Sequence, residues 1–203
     1  MSSMERKKQP KPRTLNQAKV IDAAFVVLNE RGMHGLTLKV LAQTLDVQAP
    51  ALYKHVANKE ALYVAMVQRL FDSWAEAVLL HEHATPQELM RAYAEECRKT
   101  LLSCRNGARL FSEYHQYVSS DFSARMLVAI SEQGFSEKEA VYHLSTLLSF
   151  VIGFALEEDF ELHGSAAMQQ SLQAMIPQKF LEHTKNADEE FEYGIACIIG
   201  NKI

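Results

Sequence analysis

The feature that most constrains this chain of 203 residues is an apolar run at residues 140–156, AVYHLSTLLSFVIGFAL, which contains no fully charged side chain. A helix over this run is apolar on nearly every side, so protein must cover it on both sides. The run is shorter than the roughly 20 residues needed to cross a bilayer, and one histidine and three serine or threonine side chains interrupt it. The sequence therefore predicts a helix buried in protein, with no membrane span.

The rest of the chain has the hydrophobic period of helices, and no window of useful length alternates with the period of strands. Two capping boxes, TPQE at 85–88 and SEKE at 136–139, mark helix starts. Asn58 is a third start signal, and Gly32 and Gly134 are stop signals. We therefore predict an all-α protein of about ten helices: 15–32, 37–45, 48–54, 58–83, 85–103, one from about 107, 121–133, one from 136, 167–183 and 188–200.

The net charge of −4 is unevenly distributed along the chain. Residues 1–58 carry nine Lys and Arg against four Asp and Glu, a net of +5, whereas residues 59–203 carry twelve against twenty-one, a net of −9. A basic end on an acidic body is expected when that end meets a polyanion such as DNA. Five of the nine cations lie in residues 1–13, a polar stretch with two prolines that we expect to be disordered.

The segment LAQTLDVQAPALYKHVANKEAL, residues 41–62, predicts two short helices joined by a tight turn. This is the pattern of a helix-turn-helix, whose second helix enters the DNA major groove. Pro50 suits the first turn of that helix, and Gln48, Ala49 and Ala51 let the backbone approach base edges. Predicted phosphate contacts are Thr37, Lys39, Tyr53, Lys54, His55 and Lys59. Taken singly, Tyr53 and His55 could equally cover a small three-helix core.

The stretch GLTLKVLAQTLDVQAPALYKHVANKEAL, residues 35–62, resembles the DNA-binding head of the tetracycline-repressor (TetR) family of bacterial transcriptional regulators. It has that family's L-x-x-L-A-x-x-L-x-V run, its L-Y-x-H-V turn and its N-K-x-x-L helix start. The resemblance implies a homodimeric, ligand-responsive repressor whose recognition helices enter successive major grooves, about 34–36 Å apart. We expect a disordered tail over residues 1–13, a helix-turn-helix domain over 14–60, and a ligand-binding and dimerisation domain over 61–203.

Three body segments, residues 101–111, 131–159 and 191–200, also resemble the tetracycline-responsive members of the family. In those relatives the long apolar helix and the final helix pair across a two-fold axis as a four-helix bundle. The resemblance therefore implies a dimer interface on these two helices, with the candidate residues Val141, Leu144, Leu148, Val151, Ile152, Ala155, Ile195, Ile198 and Ile199.

Those relatives hold a magnesium–tetracycline chelate through a histidine and a carboxylate. Aligned without gaps, the carboxylate position is Glu158, but the histidine position is Phe111, and Ala75, Tyr93 and Cys97 replace drug-contacting residues. Since a single carboxylate is not a metal site, we predict no tetracycline response and no bound metal. The remaining aromatic set suits a flat hydrophobic or cationic ligand, although aromatic residues at helical spacing also fit a core. The candidates are Tyr93, Cys97, Phe111, Tyr114, His115, Gln116, Phe150, Phe154 and Glu158.

Other chemistries have little support in the sequence. The chain has no G-x-S-x-G motif and no phosphate-binding glycine loop, so we expect neither an enzyme nor a cofactor. Its three cysteines form no CxxC pair and no secretory signal is visible, which predicts reduced thiols in a cytoplasmic protein. Two alternatives stay open. One is a helical carrier or enzyme with a vestigial head, and the other is a module that uses its apolar helices on a different protein.

Overall fold

The computed structural model describes residues 15–80, 85–165 and 186–200, together with the isolated residues 170, 174, 175 and 177. Within these ranges the chain forms nine α-helices, one 3₁₀ turn and no strand. The predicted all-α class is confirmed. The predicted tail at 1–13 lies outside the described residues, as does nearly all of the predicted helix at 167–183.

The helices lie close to their predicted positions, because the capping signals in the sequence are used. Asn58 accepts a hydrogen bond from the Ala61 N–H at 2.7 Å, and the capping boxes at Thr85 and Ser136 are both formed. The helices are α1 Gln17–Gly35, α2 Leu38–Thr44, α3 Ala49–Leu52, α4 Lys59–Leu79, α5 Pro86–Leu102, α6 Gly107–Tyr114, α7 Phe122–Glu132, α8 Glu137–His163 and α9 Ala187–Ile199, with the 3₁₀ turn at His115–Tyr117.

The first helix differs from its prediction at Gly32. The sequence predicts that α1 ends at this glycine, but a further turn continues to Gly35 beyond a kink. Gly32 has φ 66° and ψ −179°, a backbone conformation that side chains with a Cβ atom rarely adopt. The Leu36 N–H then donates to the Gly32 carbonyl. Gly32 therefore bends the helix, and the bend sets the direction of the residues that follow.

The three N-terminal helices pack around a small apolar centre, and α4 connects them to the rest of the protein. Val20, Leu28, Leu41 and Leu52 are completely buried between α1, α2 and α3. The first half of α4 joins the same core through buried side chains such as Leu62. Beyond it, α5 packs on α4 and on α8, and α9 packs on α8 and α5. We call α1–α3 the head and α4–α9 the body.

The start of α6 has no space for a side chain at Gly107. A Cβ atom there would lie 2.2 Å from the Leu101 carbonyl oxygen and 2.9 Å from the Cys104 sulfur. The backbone oxygen cannot move without shifting the end of α5. The close approach of α5 and α6 therefore requires glycine at this position.

We predict that Gly107→Ala lowers the free energy of unfolding by about 2 kcal/mol, because overpacking must be relieved by backbone movement. Urea unfolding at fixed protein concentration measures it. Arg109→Ala, which removes a half-exposed side chain from the same helix, is the control, with an expected loss under about 1 kcal/mol. Equal losses for the two variants would contradict the steric argument.

Candidate nucleic-acid interface and effector site

The turn between α2 and α3 packs α3 against α2 and leaves the first turn of α3 exposed. Asp46 adopts a positive φ of 52° in this turn, and the Val47 N–H donates to the Ala42 carbonyl at 3.0 Å. α3 has only four residues, too few to be stable alone. The buried side chains of Leu52 and Val56 fix it in place.

The predicted DNA-contact residues lie mostly on the outer surface of the head. Tyr53 is 56% exposed, so its ring does not cover the core, whereas His55 is half-buried. Seven of the ten residues are exposed, namely Thr37, Lys39, Gln48, Ala49, Pro50, Tyr53 and Lys54, and three are half-buried, namely Ala51, His55 and Lys59. The first turn of α3 is therefore free to approach a groove, with hydroxyl and ammonium groups beside it.

Lys59 has a second role besides the predicted phosphate contact. Its ammonium donates to the Met33 carbonyl at 3.4 Å and lies 5.2 Å from the centre of the Tyr63 ring. The Tyr63 hydroxyl donates to the same carbonyl at 3.1 Å. Two side chains of α4 thus bond to the last turn of α1.

A buried carboxylate connects the body to this same turn. Asp159, near the end of α8, is the one buried charged residue in the described part of the chain. Its carboxylate accepts from the Asn106 backbone N–H at 2.9 Å and from the Asn106 side-chain amide at 3.2 Å. His163 lies 3.0 Å from it one turn later. Asp159 therefore fixes both the backbone and the side chain of the residue that precedes α6.

Asn106 continues the connection to the head. It has a left-handed φ of 59°, and its side-chain oxygen accepts from the Met33 N–H at 3.1 Å. A chain of hydrogen bonds therefore runs from Asp159 through Asn106 to Met33. We call these three residues the head–body relay. Sequence reasoning missed it, although Asp159 follows Val151 and Ala155 at four-residue spacing and so lies on the buried stripe of α8.

Three of the predicted effector-site residues form part of a close-packed aromatic cluster. Tyr93, Cys97 and Phe111 are 3%, 0% and 1% exposed, so they are almost completely buried. The Trp74 ring lies 4.6 Å from Tyr93 and 5.1 Å from Phe122 between centroids. Burial raises the pKa of the Tyr93 hydroxyl and of the Cys97 thiol, so both groups stay neutral. Within one chain these residues are core, and their predicted contact with an effector stays a prediction.

Phe154 and Glu158 lie elsewhere, around the guanidinium of Arg98. Glu158 accepts two hydrogen bonds from Arg98, at 2.7 and 2.5 Å, and Asp188 pairs with the same group at 2.8 Å. The guanidinium also lies over the Phe154 and Phe191 rings, at 5.4 and 4.6 Å from their centres. The carboxylate that the resemblance places in a metal site is therefore held by an internal cation.

Two of the remaining effector candidates join the groups already described, since Phe150 lies 5.6 Å from Phe154 between ring centres and His115 stacks on Phe111. Phe150 stacks on Phe191, with 5.5 Å between ring centres. Tyr114 contacts Tyr63 at 5.3 Å, and His115 stacks on Phe111 at 5.3 Å. Gln116 is exposed in the 3₁₀ turn. The structure thus distributes the nine predicted residues over several clusters and does not join them into one open site.

The predicted dimer interface separates into two groups. Leu144, Val151, Ala155, Ile195 and Ile199 are between 0% and 6% exposed within a single chain. Within one chain they form part of the core between α8 and its neighbours, and their role at a dimer interface stays a prediction. Val141 is 46% exposed, and Leu148, Ile152 and Ile198 are half-buried. These four can reach a second chain.

By length and composition alone, α8 could cross a membrane, with a mean hydropathy of 1.5 over its most apolar 18 residues. Only 28% of that window is buried within the chain. An apolar helix with one face on the core and the other uncovered also fits a helix that pairs with a second copy. Within the described ranges, no group of three or more His, Cys, Asp or Glu side chains lies close enough to hold a metal ion.

A helix-turn-helix head joined by one long helix to an all-helical body defines a class of DNA-binding regulators. Residues 20–66 match the family described as bacterial regulatory proteins, tetR family, and residues 80–200 match the tetracyclin repressor-like C-terminal domain. The chain therefore belongs to the tetR family of bacterial regulatory proteins.

Similar proteins cover nearly the whole chain. The tetracycline repressor protein class C of Escherichia coli is 34% identical over 208 residues, covering 92% of this chain and 90% of the relative. A possible TetR family transcriptional regulator from Streptomyces coelicolor A3(2) has a TM-score of 0.78 and 27% identity, covering 91% and 97% of the two chains. A variant of TetR from Acinetobacter baumannii AYE in complex with minocycline has a TM-score of 0.74 and 28% identity, covering 92% and 96%.

We predict that Asp159→Ala lowers the free energy of unfolding by about 2–3 kcal/mol, because it leaves the Asn106 N–H and amide without their acceptor. Glu157→Ala, two residues earlier on the exposed side of α8, is the matched control and should change stability by less than about 0.5 kcal/mol. Urea unfolding monitored by fluorescence of the single tryptophan measures both variants. Similar losses would mean that the relay does not stabilise the fold.

Proposed function

We propose that this protein is a homodimeric transcriptional repressor that a small molecule releases from a palindromic operator. The observation that carries the proposal is the exposed first turn of α3, held on a buried base in a head of the tetR family. We assign DNA binding to residues 14–60, and effector binding and dimerisation to residues 61–203. A bacterial protein that binds chromosomal or plasmid DNA acts in the cytoplasm, so we assign it a cytoplasmic localisation.

In this function the head contacts one major groove per protomer. Gln48, Ala49 and Ala51 approach base edges, where an alanine methyl group can contact the methyl group of thymine. Tyr53 and Lys54 contact phosphates, which position the head without reading sequence. A dimer places two such helices about one helical turn apart on the DNA. Operator binding therefore depends both on the base contacts of each recognition helix and on the distance that the dimer sets between the two helices.

The effector acts by changing the distance between the two heads. The first turns of α4 pack on the head and the rest of α4 packs on other body helices, so a displacement of the body around α4 moves the head with it. The head–body relay supports a second route, from α8 through Asn106 to Met33. A ligand that favours one arrangement of these contacts shifts the population of dimers able to bind the operator.

The effector is not tetracycline. Phe111 stands at the position of the metal-binding histidine, and Glu158 is bonded to Arg98. Freeing Glu158 would leave the Arg98 guanidinium without its main partner, at a cost of a few kcal/mol. The close-packed rings around Tyr93 and Phe111 suit an aromatic, largely apolar effector that inserts by separating them. We propose no catalytic activity, in keeping with the regulators among its relatives.

Selection of bound sequences from random duplex DNA tests the DNA-binding function. We expect a palindrome with half-sites about one turn apart and an affinity that falls steeply with salt. Lys54→Ala should retain the selected motif and reduce the slope of log affinity against log salt by about 2, since a dimer loses one phosphate contact per protomer. Lys138→Ala, in the exposed first turn of α8, should leave the slope unchanged. Recovery of no motif, with a salt slope near zero, would favour the carrier or enzyme alternative.

We predict no saturable binding of magnesium–tetracycline below about 100 μM, since one carboxylate, itself bonded to Arg98, does not make a metal site. Tetracycline fluorescence measures it, with the class C repressor as positive control. Phe111→His alone should not create binding, because Arg98 still occupies Glu158. A micromolar dissociation constant for the unmodified protein would refute the prediction.

A further inference from the structure

A groove of about 540 Å³ lies between the first turns of α4 and the end of α6. It is separate from the aromatic cluster around Tyr93 and Phe111, and Tyr114 is the only predicted effector residue along it. The groove is lined by Asn58, Glu60, Ala61, Val64, Glu113, Tyr114 and Tyr117. It therefore combines two carboxylates with two aromatic rings and contains no Lys or Arg in its lining.

The aromatic side of the groove consists of the Tyr114 and Tyr117 rings, and a third ring, that of Tyr63, contacts Tyr114. Tyr117 is 63% exposed, and its ring lies 6.4 Å from that of Tyr114. Behind Tyr114 lies Tyr63, at 5.3 Å between ring centres. Exposed tyrosine faces carry negative electrostatic potential and attract cations that shed their water easily.

The acidic side faces the same rings. Glu113 is partly neutralised by Arg109, whose Nε lies 3.0 Å away, whereas Glu60 makes no ion pair within the described part of the chain. Burial raises the pKa of the Tyr114 hydroxyl, and the nearby Glu113, Tyr63, Glu60 and Tyr117 raise it further. The Tyr114 hydroxyl therefore lies near both carboxylates of the groove.

We propose that this groove binds a small organic cation of the alkylammonium class, with Glu60 and Glu113 supplying charge and Tyr114 and Tyr117 supplying ring faces. An alkylammonium group suits the groove because it is large, weakly hydrated and able to contact rings and carboxylates together. A divalent metal ion instead needs several converging oxygen ligands, and no such group of acidic side chains is present in the described residues. The proposed site is distinct from the aromatic cluster around Tyr93 and Phe111 that we assign to the effector. Binding of a cation there does not require DNA.

Isothermal titration calorimetry of the full-length protein with choline chloride tests the site directly. Choline should bind once per protomer with a dissociation constant of about 0.1–1 mM, as expected for a cation on two or three rings. Its neutral isostere 3,3-dimethylbutan-1-ol should bind at least about tenfold more weakly, because it lacks the charge. Magnesium chloride should give no saturable heat. Equal binding of the neutral isostere, or binding of magnesium in place of choline, would overturn the proposal.

Three surface variants locate the binding. Tyr117→Leu should weaken choline binding about three- to tenfold by removing a ring face, whereas Tyr117→Phe should retain the affinity. Glu60→Gln should weaken it by a similar factor through loss of charge, and Glu157→Gln, on the far part of α8, should not. Tyr117 and Glu60 are exposed, so circular dichroism should report an unchanged fold. Unchanged affinity in both Tyr117→Leu and Glu60→Gln, or no saturable heat up to about 10 mM choline, would reject the site. The result does not depend on operator binding, so it can fail while the repressor function holds.

Discussion

A carboxylate inside an apolar core costs several kcal/mol unless its oxygens are bonded, and this cost explains the geometry around Asp159. Both oxygens accept from Asn106, which holds that residue in a left-handed conformation and starts α6 at the crowded Gly107. The direction of α6, and the placement of the rings that it carries, follow from this one buried group. The head depends on it as well, because the Asn106 side chain reaches Met33.

The body has a fold similar to that of the tetracycline repressors, but different interactions stabilise its interior. A metal-binding pocket keeps polar ligands apart and leaves space between them. Here Arg98 fills the corresponding region with a bidentate ion pair and two ring contacts, and Trp74, Tyr93 and Phe111 close on one another. Overall likeness of fold therefore gives no information about the ligand, which depends on a few side chains within an otherwise similar helical frame.

Local signals in the sequence predicted most of the fold, because capping and hydrophobic period act over three or four residues. Asn58, Thr85 and Ser136 each begin a helix where they were expected to. The exceptions are contacts between distant segments. Periodicity marks α8 as apolar but does not say which side meets α5, so it does not separate residues buried within one chain, such as Val151 and Ala155, from those left open to a second chain. The pairing of Arg98 with Glu158 spans 60 residues, and no local rule anticipates it.

Three hydrogen bonds meet at the backbone of Met33 and restrict how the head can move. Its N–H is bonded to Asn106, and its carbonyl accepts from both Lys59 and Tyr63. Hydrogen bonds weaken steeply with distance and angle, so a displacement of an ångström or two loses several of these contacts together. Movement of the head away from this position is therefore cooperative, because the bonds to Asn106, Lys59 and Tyr63 meet at one residue and weaken together.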